Sequence, residues 1–533
     1  MNLKSILLPG FFLVSLHLLT LIQGEEQKST NSFSVVTMVP LVKLEKILID
    51  NLEEYAKAMD HKLQIIRRNI QKMRRENKKA QLDAIGYLSN PLNGFSLVRR
   101  LHQDWVGWLQ YMVQPVGASQ IRNLNFWRSR LPCKEDLHDA CEGLVRIQGN
   151  YELNITDIIR GKLQGRQHNA SMSATDIFAV GNYLLNTSRP ASAIQWLQEV
   201  AIHSQESFLP AEISVKADEL LKLLALAHER NQSFPNALVL MESCLKLRPH
   251  DADLVRKCRE IEELMGSPLN ATLKEKKKSY LSLKEMAIAC NATLKNPTGL
   301  HCFYNFNTTS FLRLAPLKVE QVGLHPQVLL YHEVLSPREI TSIIRIAPQI
   351  MQVKTTTTMK KTNSQTHYRT AKFQWIDKEM SELGRRINRR IGDMTGFDLQ
   401  DSESFQVINY GIGGHYIPHF DFFNLSSDHS KRNEDYMIGG DRIATVLFYL
   451  SDVEQGGATA FPNARYIVYP RAGTALFWHN LDTEGNIDLL SRHTACAVIS
   501  GSKWVMTEWI REQAQMFIRP CLPRKKATST RLG

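Results

Sequence analysis

Tyr410-Gly-Ile-Gly-Gly-His-Tyr-Ile-Pro-His-Phe-Asp421 is the stretch from which the rest of the chain can be read. Its core is His419-Phe420-Asp421. It follows a glycine-rich turn and lies in a β-patterned region. On a strand, side chains two apart share a face, so the imidazole and the carboxylate project together into one cavity. Such a pair suits a divalent metal. The triplet alone is a weak signal, because the chain holds a second copy, His102-Gln103-Asp104. That copy sits in a helical pattern, where positions two apart diverge, and is read as structural.

His493 is the best candidate for a third ligand. It lies far enough along for several strands to return it to the same cavity. Two histidines and one carboxylate on one side of an ion, with other positions open, is the arrangement of a non-haem Fe(II) oxygenase. Lys503 then opens a strongly β-patterned run. Alone it reads as a surface lysine starting a strand. With the other three it fits an iron site plus a dicarboxylate co-substrate, since lysine is a compact cation able to hold a carboxylate at the closed end of a barrel.

The surrounding runs support a sheet-rich region. Val328–Tyr331, Phe405–Tyr410, Arg442–Leu450, Gly473–Trp478 and Lys503–Ile510 are β-rich and separated by turn residues, as in an all-β barrel or jelly roll. Helices are expected at Pro337–Ala347 and Lys378–Thr395. Asn424–Gly440, polar and ending in glycine, is expected to form a loop over a bound peptide.

The N-terminal half is different. At 533 residues the chain should hold about three domains. Lys4 followed by the apolar run Ile6–Ile22 reads as a secretory signal peptide over 1–24. No later stretch is long and apolar enough to span a bilayer. From Leu41 to Met73, apolar residues recur at spacings of three and four, giving one long amphipathic helix. It either packs on its own domain or forms a coiled-coil dimer seam. Gly86 and Asn90-Pro91 break that pattern. Leu97–Ile159 is helical again, with Trp105, Trp108, Tyr111 and Trp127 expected in a core. Roughly 173–263 reads as paired helices of tetratricopeptide type, able to form a groove for a peptide. Residues 264–325 are polar and read as a linker.

Sequons at Asn154, Asn169, Asn186, Asn231, Asn270, Asn291, Asn307 and Asn424 favour a secretory-pathway protein. In that compartment some of the eight cysteines will pair. Cys290 with Cys302 and Cys496 with Cys521 are local candidates, although connectivity does not follow from sequence. The net charge of +12 is moderate and favours a polypeptide or glycan partner over a nucleic acid.

Gln406–Cys521 strongly resembles the catalytic domain of the collagen prolyl 4-hydroxylase α subunit. The matching pieces are Asn409–Asp421, Asp441–Thr445, Phe448–Asp452, Gly456–Pro462, Phe477–Leu481, Arg492–Cys496 and Gly501–Trp504. A weaker similarity covers the whole chain. It implies a signal peptide (1–24), a coiled-coil dimerisation region (25–160), a tetratricopeptide-type peptide-binding domain (161–263), a linker (264–325) and a double-stranded β-helix, or jelly roll, with flanking helices (326–533). By position, the family's iron ligands fall on His419, Asp421 and His493, and its 2-oxoglutarate anchor on Lys503. Tyr410 and Thr459 fall on co-substrate hydroxyl positions. Tyr416, Arg442 and Trp509 fall where the peptidyl proline is faced. The pairs Cys290–Cys302 and Cys496–Cys521 resemble the family's disulfides.

The activity so implied is 4-hydroxylation of peptidyl proline in procollagen with O2 and 2-oxoglutarate, releasing succinate and CO2, with L-ascorbate restoring oxidised iron. The implied partner is protein disulfide isomerase as β subunit of an α2β2 tetramer in the endoplasmic reticulum lumen. The chain has no retrieval tetrapeptide at its C-terminus, so that partner is expected to hold it there. One departure concerns the groove, which in the family is rich in tyrosine. Here Leu185, Pro190, Ala191, Leu223, Leu226 and Glu229 stand at those positions, while Phe178, Gly181 and Trp196 remain. The rival readings are a diverged collagen-binding subunit and a hydroxylase of a non-collagen protein. The intact set of His419, Asp421, His493 and Lys503 argues against the first.

Overall fold

The computed structural model describes residues 34–203, 215–266, 285–291, 299–347, 369–423 and 439–520. The signal peptide, Cys521, the sequons at Asn270 and Asn424 and nearly all of the loop expected over Asn424–Gly440 lie outside the described residues. The chain divides into two compact units, Thr37–Cys133 and Met1–Val36 with Lys134–Gly533.

The smaller unit is all helix. α1 runs Val35–Leu82 and tolerates Pro40 near its start, where a missing N–H interrupts little of the helical ladder. Asp83 accepts from Gly86 N and starts a new short helix, and Asn90 does the same before Pro91. The expected break thus falls at two helix caps. Helices Trp105–Val113 and Ala118–Trp127 follow. None of these helices buries a residue. Trp105, Trp108, Tyr111 and Trp127 are therefore not core aromatics of this unit, and Trp105 is 56% exposed. The second His-X-Asp copy lies here on the surface, with the Asp104 carboxylate taken by Arg99 at 2.8 and 3.1 Å.

The larger unit begins with α2 (Lys134–Tyr151) and continues through α3 (Ala174–Asn186), α4 (Pro190–His203), α5 (Ala217–Arg230), α6 (Phe234–Leu247) and α7 (Ala252–Gly266). A capping box between Ser173 and Asp176 fixes the start of α3. Each helix packs on the next, from α3 to α7. Gly181 lets α4 come close to α3, because a Cβ there would meet Leu197 Cδ2 at 2.6 Å. Trp196 is fully buried and its Nε1 donates to Gln148 Oε1 at 3.0 Å. It is a core residue, and the expectation that it touches a peptide is corrected; Phe178 is half-buried. The six described sequon asparagines, Asn154, Asn169, Asn186, Asn231, Asn291 and Asn307, are all exposed.

The C-terminal part is sheet-rich. Its strands are β1 (Cys302–Asn305), β2 (Leu317–Leu324), β3 (Gln327–His332), β4 (Ala371–Ile376), β5 (Phe405–Tyr410), β6 (Tyr416–His419), β7 (Arg442–Tyr449), β8 (Thr459–Phe461), β9 (Tyr466–Val468), β10 (Ala475–His479), β11 (His493–Ala495) and β12 (Trp504–Arg511). An eight-stranded antiparallel sheet has the order β1-β2-β3-β10-β7-β12-β5-β4, and a four-stranded sheet the order β9-β8-β11-β6. The linker expected over 264–325 is corrected in its second half, since β1 and β2 already belong to the large sheet. β1 is a mostly exposed edge strand of only four residues, too short for a strand period to show.

Alternation along each strand divides the core. Val407, Val446, Phe448, Phe477 and Met506 face α8 (Pro337–Ile346) and α9 (Glu382–Thr395). Ile408, Tyr410, Tyr449, Trp478 and Val505 face the small sheet, which adds Phe461 and Val468. The large sheet is thus buried on both faces. Glu339 of α8 pairs with Arg390 at 3.0 Å and Arg386 at 3.2 Å, joining the two helices.

The cysteine pairing is also corrected. Cys290 bonds Cys496, 206 residues away. Cys302 is free and exposed. Residues near in sequence are here far apart in space, because β1 carries Cys302 to the sheet edge while Cys290 sits in a helical segment packed with Ala458, Ala460 and Cys496.

Phe448 is fully buried between the large sheet and its helices. Phe448→Ala is expected to cost about 3–5 kcal/mol, read as a lower denaturant midpoint with an unchanged slope.

Candidate metal centre

β5 and β6 are joined by the glycine-rich turn Gly411–His415, in which Gly413 takes φ +56°, a conformation open chiefly to glycine. β6 then contains Pro418. It is tolerated because β6 is the outer strand of the small sheet. β11 lies beside β6, with His493 directly opposite His419. Asp421 follows two residues after His419.

These three side chains converge. His419 Nε2 lies 3.6 Å from Asp421 Oδ1, and His493 Nε2 lies 3.6 Å from Asp421 Oδ2. One ligand atom from each lies within 4.8 Å of the others. Both imidazoles point Nδ1 at a carbonyl two residues back, Ile417 O at 2.8 Å and Ser491 O at 3.1 Å. Each Nδ1–H donates there, which leaves the Nε2 lone pair aimed at the gap. Burial pushes the His493 pKa down to about 4, so its ring is neutral at pH 7. Burial alone would push the Asp421 carboxyl up. The two histidines and Arg442 outweigh it and hold the group well below the usual carboxylate range.

A supporting layer lies behind the carboxylate. Thr445 Oγ1 donates to Asp421 Oδ2 at 2.8 Å, Asn480 Nδ2 to Thr445 Oγ1 at 2.9 Å, and Trp478 Nε1 to Asn480 Oδ1 at 3.0 Å. The Tyr416 ring stacks on His419 with centroids 3.5 Å apart, and Trp478 meets His493 edge-on at 4.7 Å.

Lys503 precedes β12 and is 1% exposed. Its Nζ sits 5.0 Å from the Tyr410 ring centre. Burial pushes its pKa down to about 7, and no carboxylate among the described residues opposes that fall. Tyr410 stays protonated, its pKa raised to about 12 by burial. Thr459 is buried and its Oγ1 accepts from Tyr449 OH at 2.8 Å. Arg442 and Trp509 are in contact, the guanidinium 4.1 Å from the ring centre. Burial opposes the Arg442 charge, but Glu403 grips it at 2.6 and 2.7 Å and keeps it charged.

Residues 34–165 match the family profile described as the prolyl 4-hydroxylase alpha-subunit, N-terminal region. Residues 405–511 match that of the 2OG-Fe(II) oxygenase superfamily. The chain is 31% identical over 512 residues to prolyl 4-hydroxylase subunit alpha-1 of Homo sapiens, covering 92% of this chain and 95% of that protein. It is 30% identical over 511 residues to subunit alpha-2 of Gallus gallus, covering 92% and 94%. The chain belongs to the prolyl 4-hydroxylase alpha-subunit family.

The donor set fits the iron of such an oxygenase. Two imidazole nitrogens and one carboxylate face a common gap from one side, and no carboxylate among the described residues pairs with the buried Lys503. Several members of the prolyl 4-hydroxylase site carry no sequence signal. Thr445, Asn480, Tyr449 and Glu403 are ordinary strand or loop residues until the fold brings them together. Arg369 is another. It is buried, its Nη1 donates to Gln406 Oε1 at 3.1 Å, and its Nε and Nη2 have no partner among the described residues. Its guanidinium lies 5.4 Å from the Tyr416 ring centre.

Thr445→Val removes the donor to Asp421 while keeping the shape. It is expected to weaken divalent metal binding by about tenfold, measured by titrating the metal-free chain with Co(II) and following its visible absorption.

Proposed function

We propose that this chain is the α subunit of a prolyl 4-hydroxylase that converts peptidyl proline in procollagen to 4-hydroxyproline, using O2 and 2-oxoglutarate and releasing succinate and CO2. The observation that carries the reading is the convergence of His419, Asp421 and His493 between the same two sheets that bury an unpaired Lys503. Family membership along nearly the whole chain supports it. The two sheets are read as a double-stranded β-helix, α3 to α7 as tetratricopeptide-type helices, and α1 as a coiled-coil seam for dimerisation.

Each residue has a task in this scheme. His419, Asp421 and His493 would hold Fe(II), which supplies the activation of O2 and the oxidative decarboxylation of 2-oxoglutarate that side chains cannot perform. Lys503 neutralises the far carboxylate of 2-oxoglutarate, with Tyr410 and Thr459 as hydroxyl partners. Tyr416, Arg442 and Trp509 face the peptidyl proline, and Glu403 holds Arg442 in place. The two sheets exclude water around the reacting groups. L-Ascorbate would be the reductant that keeps iron held by His419, Asp421 and His493 in its Fe(II) state. The relatives' designation as alpha subunits supports a second kind of subunit, read here as protein disulfide isomerase in an α2β2 tetramer. The N-terminal apolar run and the exposed sequons support the endoplasmic reticulum lumen.

The test co-expresses the chain with protein disulfide isomerase and supplies a Pro-Pro-Gly repeat peptide, iron, 2-oxoglutarate and ascorbate. Peptide-dependent succinate with 4-hydroxyproline is expected, and His419→Ala should abolish both. Succinate without 4-hydroxyproline would sink the proline reading. Tight peptide binding with no succinate would favour a diverged binding subunit.

The Lys503 assignment has its own pH signature. A buried ammonium with a pKa near 7 is charged below that pH and neutral above it. The KM for 2-oxoglutarate should therefore rise with pH, approaching about tenfold per pH unit above 7. Lys503→Arg keeps its charge throughout and should flatten that profile. A parent profile already flat from pH 6 to 8.5 would remove Lys503 from this role.

A further inference from the structure

The glycine turn before β6 aims His419 and Asp421, yet glycines make a soft hinge. Within the sheets it is tied by Gly414 N to Gly411 O at 3.0 Å and by Val498 N to Gly414 O at 3.1 Å. Thr370, just before β4, also holds its last residue, with Thr370 N donating to His415 O at 3.0 Å and the Thr370 hydroxyl bonded to His415 Nδ1 at 2.6 Å. A further constraint comes from outside the sheets, from α2. Arg146 is buried and its Nη1 donates to Gly413 O at 2.9 Å. Beside it the two backbones touch. A Cβ on Gly143 would meet Ile412 O at 2.4 Å, and a Cβ on Gly413 would meet Gly143 O at 2.2 Å. Neither position has room for a side chain.

The same helix reaches the other ligand strand. Tyr151, its last residue, donates from its hydroxyl to Ala497 O, just past β11 and four residues after His493. At its other end, buried Asp136 faces Lys372 of β4. α2 therefore touches the segment before His419 and the segment after His493. Three ligand atoms must meet within a few tenths of an ångström to bind a metal, and a helix bracing both strands sets that spacing.

Arg146 is an expensive choice for such a contact. A buried guanidinium needs compensation, and Glu142 on the preceding turn supplies the nearest charge. The Glu142 carboxylate in turn accepts from Tyr183 OH at 2.6 Å and from Arg189. Those two residues belong to α3 and to the connection into α4. Hydrogen bonds thus run from α3 and the connection into α4 to Glu142, whose charge acts on Arg146, and Arg146 in turn bonds Gly413.

We infer that α2 is a brace of the metal centre, and that Arg146 and Gly143 are positioning residues for His419 and Asp421. The inference rests on the reading of His419, Asp421 and His493 as the iron site. It also makes the helical half part of the catalytic apparatus.

The test uses the full chain co-expressed with protein disulfide isomerase, carrying Arg146→Ala, Arg146→Lys or Gly143→Ala. Co(II) binding to the metal-free protein is followed by visible absorption, alongside the KM for iron and for 2-oxoglutarate. Arg146→Ala should raise the Co(II) Kd and the iron KM about tenfold or more, with the 2-oxoglutarate KM changed less than about twofold because Lys503, just before β12, and Tyr410, fixed within β5, do not depend on the Arg146 contact. Arg146→Lys, which retains one donor for Gly413 O, should recover part of the loss. Gly143→Ala keeps every charge and should shift iron binding in the same direction, so it decides the matter if Arg146→Ala does not fold. Variants that bind Co(II) as tightly as the parent overturn the inference alone. A parent that binds no Co(II) overturns the iron reading and the inference with it. A loss spread equally over iron, 2-oxoglutarate and thermal stability marks a general fold defect and also overturns it.

Discussion

The register between β6 and β11 is the constraint on which the rest depends. His419 and His493 face one another across a ladder only four and three residues long. A slip of one residue would turn each imidazole to the opposite face, and no metal could be held. Short strands have little ladder energy with which to resist such a slip. The resistance therefore comes from their surroundings: the large sheet behind Trp478 and Thr445, the Cys290–Cys496 bond beyond β11, and α2 against the glycine turn.

The cations around this pair are handled in contrasting ways. Arg442 has its own counter-ion in Glu403 and is held rigid by two short hydrogen bonds. Lys503 has none and lies deeper. Arg369 lies between them in character, with one neutral partner and two idle donors. A stable fold without a ligand would have filled those positions with apolar side chains, since unpaired buried charge is costly. Among the described residues, these cations outnumber the anions and acceptors beside them. Local frustration of this kind concentrates at functional sites.

How legible each part was follows from its physics. β5, β7 and β12 carry six to eight residues and are buried on both faces or nearly so, so their apolar runs stand out. β8, β9 and β11 have three residues each, too few for any period to show. β1 has only four residues, and β2 mixes Lys318, Glu320 and Gln321 with its apolar positions. The ligand histidines and Lys503 were readable since their residue types are rare in strand interiors. Thr445, Asn480 and Glu403 were not, because a hydroxyl, an amide or a carboxylate in a β region has many uses and only distance selects one. Trp196 and the cysteines misled for a related reason. Trp196 shares its helix face with Ala193 and Val200 and packs there, and sequence neighbours such as Cys290 and Cys302 can be carried apart by the fold.

The division of labour between the two halves is the last consequence. The family profile covering the helical region ends at residue 165, beyond α2, so by sequence α2 belongs with the helices. By packing it belongs equally to the sheets, through Gly143, Arg146 and Tyr151. One helix cannot shift relative to the repeats without moving the turn that aims two of the ligands. Through α2, the helices α3 to α7 and the metal centre are linked by packing, even though their sequences read as separate domains.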